Sequence, residues 1–165
     1  MQEQETQIYG IRALIEALKA GKTIDKVFLQ KGLQGGLYKE LMPLLQAAQV
    51  PVQYVPVEKL NRLTKKNHQG VVANLSPVDY HNVEDLVISV TESGTTPLFL
   101  VLDHLSDVRN FGAIIRTAEC TGVSGIIIPK RGSVSITADT IKTSAGAVFR
   151  VPICKVENLV DAVYY

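Results

Sequence analysis

The sequence has few of the features that mark secreted, membrane-spanning or metal-binding proteins. Its 165 residues include only two cysteines, Cys120 and Cys154, and their spacing is not that of a zinc motif. The start of the chain does not resemble a signal peptide, and no apolar run approaches the roughly 20 residues that a membrane-spanning helix needs. We therefore expect a soluble, cytoplasmic protein with reduced, buried thiols and with neither a membrane nor a metal partner.

The sequence also lacks a strong charge and the common nucleotide-binding motifs. The net charge is only +1, so any contact with nucleic acid must come from local basic patches rather than from bulk charge. Neither GxGxxG nor GxxxxGK[ST] occurs, and Ser144 has no His and acid in a recognisable hydrolase arrangement. With 46% hydrophobic and 20% charged residues, the chain is globular and long enough for one large or two small domains.

The stretch from Leu98 to Pro129 has the pattern of a strand–loop–helix–strand unit. It opens with an apolar run to Leu102, which predicts a strand buried on both faces of a parallel sheet, and residues 126–128 predict the next buried strand. A polar loop to Asn110 and a helix over residues 111–121 lie between them. The loop follows the carboxyl end of a strand, which is where open α/β sheets bind ligands.

Asn110 and Arg116 are the candidate functional pair of this unit. Asn110 stands where we expect the helix N-cap. Four apolar side chains share one arc of the helix: Phe111, Ile114, Ile115 and Ala118. Arg116 lies outside that arc and leans back over Gly112 toward the loop, so that a guanidinium and a carboxamide could converge there. The alternative is a capping Asn and a solvated surface Arg.

The rest of the chain alternates helices and strands. Residues 1–7 are polar, and we predict that they are frayed. The first 75 or so residues predict a small α/β/α layer, with these elements: helices 9–20, 37–48 (kinked at Pro43 or starting near Met42) and 57–63, and strands 26–30, 52–55 and 70–75. Beyond Pro129 we predict a helix over 138–142, a strand over 148–152 and a helix from 157.

Two basic turns are candidate phosphate contacts. Lys65, Lys66 and His68 lie in a polar turn that precedes a strand, where Lys supplies charge and His supplies hydrogen bonds. Lys130 and Arg131 follow a strand end. For both turns the alternative is an ordinary solvated turn. His68 has no second ligand at a spacing that would suit a metal ion.

Several segments resemble the SpoU family of RNA ribose 2′-O-methyltransferases, in the SPOUT superfamily. The family's first motif is matched by Asp103, Asp107, Asn110, Gly112, Ile115-Arg116-Thr117-Ala118 and Gly122. Tyr9-Gly10-Ile11 and His68-Gln69-Gly70-Val71 resemble its amino-terminal domain, and residues 142–147 resemble the segment after motif one. The resemblance covers nearly all of the chain, with one departure: Val108-Arg109 stands where the family usually has Pro after Asp107.

The resemblance implies methyl transfer from S-adenosylmethionine to a ribose 2′-hydroxyl of structured RNA. The chain closely resembles the two-domain bacterial members of the family, which suggests a guanosine of 23S ribosomal RNA as the substrate, with transfer RNA as the alternative. In the family the counterpart of Arg116 is proposed as general base. Because an arginine side chain rarely loses its proton, we favour Arg116 as the cationic partner of the alkoxide or phosphate, oriented by Asn110. The implied RNA-binding residues are Lys65, Lys66, His68, Arg109, Lys130 and Arg131.

The implied fold is α/β in two domains. Residues 1–76 correspond to a ribosomal-protein-like RNA substrate-binding domain, 77–97 to a linker containing one helix, and 98–165 to the amino-terminal part of a SPOUT domain with a parallel sheet. The knot, the cofactor site and most of the homodimer interface are expected beyond Tyr165. Two competing interpretations are a non-catalytic RNA-binding module and an interaction protein that dimerises through an open sheet edge.

Overall fold

The computed structural model describes residues 7–165. The chain folds into two compact units, Met1–Pro77 and Val78–Tyr165, and each has its own sheet and buried core. Both units combine helices with strands, which confirms the predicted α/β class. No helix within residues 7–165 is long and apolar enough to cross a membrane.

The first unit is built on a four-stranded sheet in the order β1-β4-β2-β3. Only β2 and β3 run parallel, and β4 is antiparallel to both β1 and β2. Its elements in chain order are β1 (Gln7–Tyr9), α1 (Ile11–Lys19), β2 (Ile24–Gln30), α2 (Gly36–Ala47), β3 (Val52–Val55), α3 (Val57–Leu63) and β4 (Val71–Leu75).

Alternating side chains divide this sheet between two cores. Val27 and Leu29 of β2 belong to the cluster that α1 and α2 cover. Phe28, between them, faces the other way and packs in the cluster that contains Leu60 of α3 and Val72 of β4. Successive residues of a strand point to opposite faces, so an apolar run such as this one requires cover on both sides. The predicted three-layer arrangement of the first unit is confirmed.

One detail at the start of the first unit differs from the prediction, and one alternative for its second helix is resolved. Gln7–Tyr9 forms a short strand, although Gln7 was predicted to be frayed and Tyr9 to start a helix. A segment of three residues is too short to show the alternating pattern of a strand, and this strand forms because it pairs with β4. The remaining residues of the predicted frayed segment, 1–6, lie outside the described residues. The second helix, Gly36–Ala47, agrees with the predicted span of 37–48, and because it contains Pro43 in its interior, the alternative start near Met42 is excluded.

The second unit contains a three-stranded parallel sheet in the order β5-β6-β7. Its elements in chain order are α4 (Val83–Glu92), β5 (Phe99–Val101), α5 (Val108–Cys120), β6 (Gly125–Pro129), α6 (Ala138–Thr143), β7 (Ile153–Val156) and α7 (Leu159–Tyr164). Helix α4 lies within the predicted linker 77–97, and the backbone N–H of His81 donates to the Ile153 carbonyl at 2.9 Å. A linker role for residues 77–97 stays a prediction.

The core of this unit lies between the sheet and helix α5. Phe111, Ile115 and Ala118 of α5 pack with Ile126 and Ile128 of the central strand β6. The buried face of α5 follows the predicted arc, except that Ile114 is only partly buried and Gly112 is buried. One side of α5 therefore packs against the sheet, and the opposite side is exposed.

Three predictions for the second unit are wrong in part. Residues 98–102 are not buried on both faces, because β5 is an edge strand, and Leu98 and Val101 are 49% and 41% exposed. The strand predicted over 148–152 is instead a 3₁₀ turn at Ala147–Phe149, closed by local hydrogen bonds, and β7 follows it. Both cysteines are free, but only Cys154 is buried, and this burial raises its pKa to about 11.

Candidate functional site

Helix α5 begins at the loop that follows β5, and Asp107 caps it. The Asp107 carboxylate accepts the backbone N–H groups of Arg109 and Asn110 at 2.7 and 3.1 Å. The prediction that Asn110 is the N-cap is therefore wrong, since the helix begins at Val108 and Asn110 lies in its first turn. A carboxylate satisfies the same free N–H groups and also interacts favourably with the positive end of the helix dipole.

Asn110 and Arg116 are both exposed on α5. Among residues 7–165, the Arg116 guanidinium has neither an ion-pair nor a hydrogen-bond partner, and no hydrogen bond joins it to Asn110. Asn110 and Arg116 are six positions apart, which in an α-helix corresponds to about 9 Å along the axis and about 120° around it. Arg side chains lean toward the helix N-terminus, which shortens the axial gap. Convergence of the two groups on one substrate stays a prediction.

Gly112 has a different role from the one that the sequence suggested. It does not provide empty space beneath Arg116, because Thr143 at the end of α6 fills the space beside it. A Cβ atom at residue 112 would lie 1.9 Å from Thr143 Oγ1 and 2.8 Å from Thr143 Cβ. The absence of a side chain at Gly112 therefore allows α6 to pack directly on α5, one turn before Arg116.

The far end of α5 is held by an ion pair that the sequence did not reveal. Arg150 donates through Nε and Nη2 to the two carboxylate oxygens of Glu119, and the Nη2–Oε2 distance is 2.9 Å. This contact lowers the pKa of Glu119 and raises that of Arg150. The guanidinium of Arg150 is therefore occupied in joining the segment after the 3₁₀ turn to α5, whereas that of Arg116 is not.

The two basic residues after β6 differ in their surroundings. Lys130 has a side chain that is only 12% exposed, and its Nζ atom lies 3.3 Å from the Glu157 carboxylate. This geometry favours a structural role for Lys130. Arg131 is exposed in the following turn, and Arg109 is exposed at the start of α5. Both lie at the edge of the sheet where the parallel strands end.

In the first unit, the structure separates His68 from its basic neighbours. His68 is buried, its Nδ1 accepts the Gly70 N–H at 3.0 Å, and its Nε2 bonds to Asn61 Oδ1 at 2.9 Å. Both ring nitrogens are engaged inside the unit, so this geometry favours a structural role and does not suit the predicted RNA contact. Lys65 and Lys66 are exposed, as a binding turn requires.

The part of the chain that the structure describes contains no candidate metal site. No group of three or more His, Cys, Asp or Glu side chains there could hold a metal ion. His104 in the motif loop is exposed and pairs with the neighbouring Asp103 carboxylate at 2.8 Å.

Comparisons with known proteins give a consistent assignment for both units. Residues 7–81 match a family described as RNA 2′-O ribose methyltransferase substrate binding, and residues 97–165 match the SpoU rRNA methylase family. A Bacillus subtilis protein named as a TrmH family tRNA/rRNA methyltransferase is 36% identical over 159 residues, which is 96% of this chain and 64% of that protein. A Staphylococcus aureus protein of the same name is 37% identical over 160 residues, 97% of this chain and 64% of its own length.

A solved structure of an S-adenosylmethionine-bound rRNA methyltransferase from Sinorhizobium meliloti is 23% identical, with a TM-score of 0.43, and is matched over 96% of this chain and 57% of that one. The chain spans 64% of the length of the curated relatives that it matches. The two family matches lie in tandem and together extend over nearly all of the sequence. Residues 7–81 and 97–165 therefore match, in tandem, the substrate-binding and methylase domains of the SpoU family of RNA methyltransferases.

Proposed function

We propose that this chain is the substrate-binding domain and the first part of the catalytic domain of an RNA ribose 2′-O-methyltransferase that uses S-adenosylmethionine. The observation that carries the proposal is the tandem order of the two family matches, 7–81 and 97–165. In the second of these, Asn110 and Arg116 occupy the motif-one positions, and both side chains are exposed. The substrate that we favour is a guanosine of 23S ribosomal RNA, with transfer RNA as the alternative, and the full-length enzyme is a homodimer.

Arg116 is suited to stabilise negative charge and not to act as a base. A ribose 2′-hydroxyl is a weak acid, so its attack on a methyl group requires that developing negative charge on its oxygen be stabilised. A guanidinium stays protonated at any physiological pH. Because no carboxylate among residues 7–165 neutralises Arg116, its charge is available to that alkoxide or to the neighbouring phosphate.

The other polar groups would hold the RNA. Asn110 can both donate and accept hydrogen bonds, and its side chain is not used in capping the helix, so we assign it to orienting the ribose. Arg109 and Arg131, at the same edge of the sheet, would contact the phosphate backbone. The proposed RNA-binding set is Lys65, Lys66, Arg109 and Arg131, without His68 and Lys130, whose side chains are engaged within the protein.

We propose that the described residues do not by themselves complete a site for S-adenosylmethionine. Only two residues, Glu157 and Asn158, separate β7 from α7, and the Asn158 side chain caps α7 by accepting the Val160 N–H at 2.9 Å. This connection is too short to surround a ligand of this size, and its Asn158 side chain is already used in capping α7. We propose that the cofactor-binding elements belong to the part of the relatives' length that this chain does not span.

The test is methyl transfer by the full-length protein from tritiated S-adenosylmethionine to separate ribosomal and transfer RNA. We expect label on a 2′-oxygen of ribosomal RNA and a loss of several orders of magnitude in rate for Arg116→Ala. Arg12→Ala, an exposed arginine on α1, is the matched control and should retain the parent rate. Label on transfer RNA alone would select the alternative substrate, and no label on either RNA would leave a binding module.

A further inference from the structure

The two units differ in charge although the chain as a whole is nearly neutral. Met1–Pro77 has ten Lys and Arg against six Asp and Glu, a net charge of +4, whereas Val78–Tyr165 has seven against ten, a net charge of −3. The attraction of this protein for a polyanion must therefore come mainly from its first unit.

Within the first unit, the positive charge is concentrated on the side of the sheet that α3 covers. We define the α3 surface as Lys26, Lys59, Arg62, Lys65 and Lys66. Lys26 lies on β2 two residues before Phe28, so the two side chains face the same side of the sheet. The other four residues of this surface lie on α3 and in the turn that follows it. Glu58 is the only acidic residue between Val57 and Val72.

Three of the four lysines of this surface lie over aromatic rings. The Nζ atoms of Lys26 and Lys59 lie 5.2 and 5.9 Å from the centroid of the Phe28 ring, and that of Lys66 lies 4.8 Å from the centroid of the Tyr9 ring. Cation–π contacts restrict a lysine side chain but leave its charge intact, because the ring brings no net charge.

Carboxylates do not neutralise most of the α3 surface. Lys26, Lys59, Arg62 and Lys65 form no ion pair with an acidic residue among those that the structure describes. On the opposite side of the sheet, Lys19 of α1 pairs with Glu40 of α2 at 2.8 Å, which raises the pKa of Lys19. The two sides of the first unit thus differ in how much positive charge is available to a partner.

We propose that the α3 surface is where the first unit binds the phosphate backbone of RNA, and that the side covered by α1 and α2 does not bind it. This inference rests on the proposed function. Phosphate contacts from Lys and Arg supply most of the affinity in such complexes. A protein partner would need apolar anchors, yet Tyr54, which lies on β3, is the only exposed large apolar residue in the described part of this unit.

The experiment compares two variants of equal charge. The α3 variant carries four changes to Gln, at Lys26, Lys59, Arg62 and Lys65. In the control, Arg12, Lys19, Lys22 and Lys39, which lie on or next to α1 and α2, are changed to Gln. Binding of a fluorescein-labelled, structured ribosomal RNA fragment is measured by fluorescence anisotropy in 50 to 200 mM KCl. Thermal melting checks that both variants fold like the parent.

We expect the α3 variant to bind at least tenfold more weakly at 100 mM KCl. For this variant, the slope of log affinity against log salt concentration should be less negative by about 3, since each of the four lost phosphate contacts removes about 0.7–0.9 from the slope. The control should stay within about threefold of the parent with an unchanged slope. A third variant, with Lys26, Lys59 and Lys65 changed to Arg, retains the charge and should bind like the parent.

Other outcomes separate the two proposals. Equal losses in the α3 variant and the control would overturn the inference, because bulk charge alone would explain the binding. Parent-like binding by the α3 variant would also overturn it, while the methyl-transfer assay would still decide the proposed function. If the parent binds the RNA no better than it binds heparin and the full-length enzyme transfers no methyl group, both proposals fail.

Discussion

Replacing Gly112 by Ala should destabilise the second unit, even though Ala is the better helix former. In an exposed helix this change would gain about 1 kcal/mol. Here the new methyl group would lie 1.9 Å from Thr143 Oγ1, 2.8 Å from Thr143 Cβ and 3.0 Å from the Ser144 backbone nitrogen. Rotation of the Thr143 side chain could remove only the first clash, at the expense of its 2.7 Å hydrogen bond to the Asp139 carbonyl.

The other two clashes require α6 to move. Carbon atoms pack best at about 3.5–4.0 Å, so α6 must shift by roughly 0.7 Å away from α5. Overpacking of this kind costs about 1–3 kcal/mol, and we expect the upper end because a backbone atom is involved. After the gain in helix propensity, the net loss is about 2 kcal/mol, which corresponds to a melting temperature lower by roughly 8–16 °C in a unit of this size.

Thermal melting followed by circular dichroism measures this loss. Gly36→Ala is the matched control, since Gly36 lies in α2 and its new methyl group would have no neighbouring atom within 4 Å, so this variant should be neutral or slightly more stable. Thr143→Ala should recover part of the loss in the Gly112→Ala background by removing the hydroxyl oxygen. A Gly112→Ala protein that melts at or above the parent temperature would refute the packing argument.

Three further predictions concern capping, thiol chemistry and the catalytic cation. Asp107→Ala should lower the free energy of unfolding in urea by about 1 kcal/mol, whereas Asn110→Ala should change it little, and equal losses would contradict the cap assignment. At pH 8, Ellman's reagent should label exposed Cys120 quickly and Cys154 only after unfolding, because burial raises the pKa of Cys154 to about 11; two fast thiols would show that β7 is open. In the full-length enzyme, Arg116→Lys should restore little of the activity lost in Arg116→Ala, since an ammonium lacks the planar fork, and near-parent rates would mean that charge alone suffices.

Local patterns were sufficient to predict much of the fold. The strand Val52–Val55 between two prolines and the helix Val57–Leu63 have the predicted boundaries. Residues 125–128 of β6 are all buried, as a central parallel strand requires. The similar apolar run at 98–102 was predicted to be equally buried, yet it forms an edge strand. Position within the sheet depends on pairing between distant segments, which the composition of one strand does not encode.

In the candidate site, too, features set by local sequence were predicted, whereas contacts between distant residues were not. Periodicity placed Arg116 on the exposed side of α5, and the structure agrees. The prediction of Asn110 as the cap was wrong by three residues, because Asp107, the observed cap, is of a residue type that is equally favoured at that position. Glu119 and Arg150 are 31 residues apart in the sequence, so no local pattern predicts the ion pair that they form in the folded chain.

Long-range contacts also decide which basic residues are available to a substrate. Lys130 and Arg150 carry the same positive charge as Arg116 and lie in the same unit, but each has a carboxylate partner that neutralises it. No carboxylate within residues 7–165 does this for Arg116 or Arg131. A guanidinium without a partner is free to bind a phosphate or an alkoxide, whereas a paired one must first break an existing contact. Of these two unpaired arginines, Arg116 also lies in the motif-one segment, so it is the residue at which we expect removal of a single charge to reduce the proposed catalysis without loosening the fold.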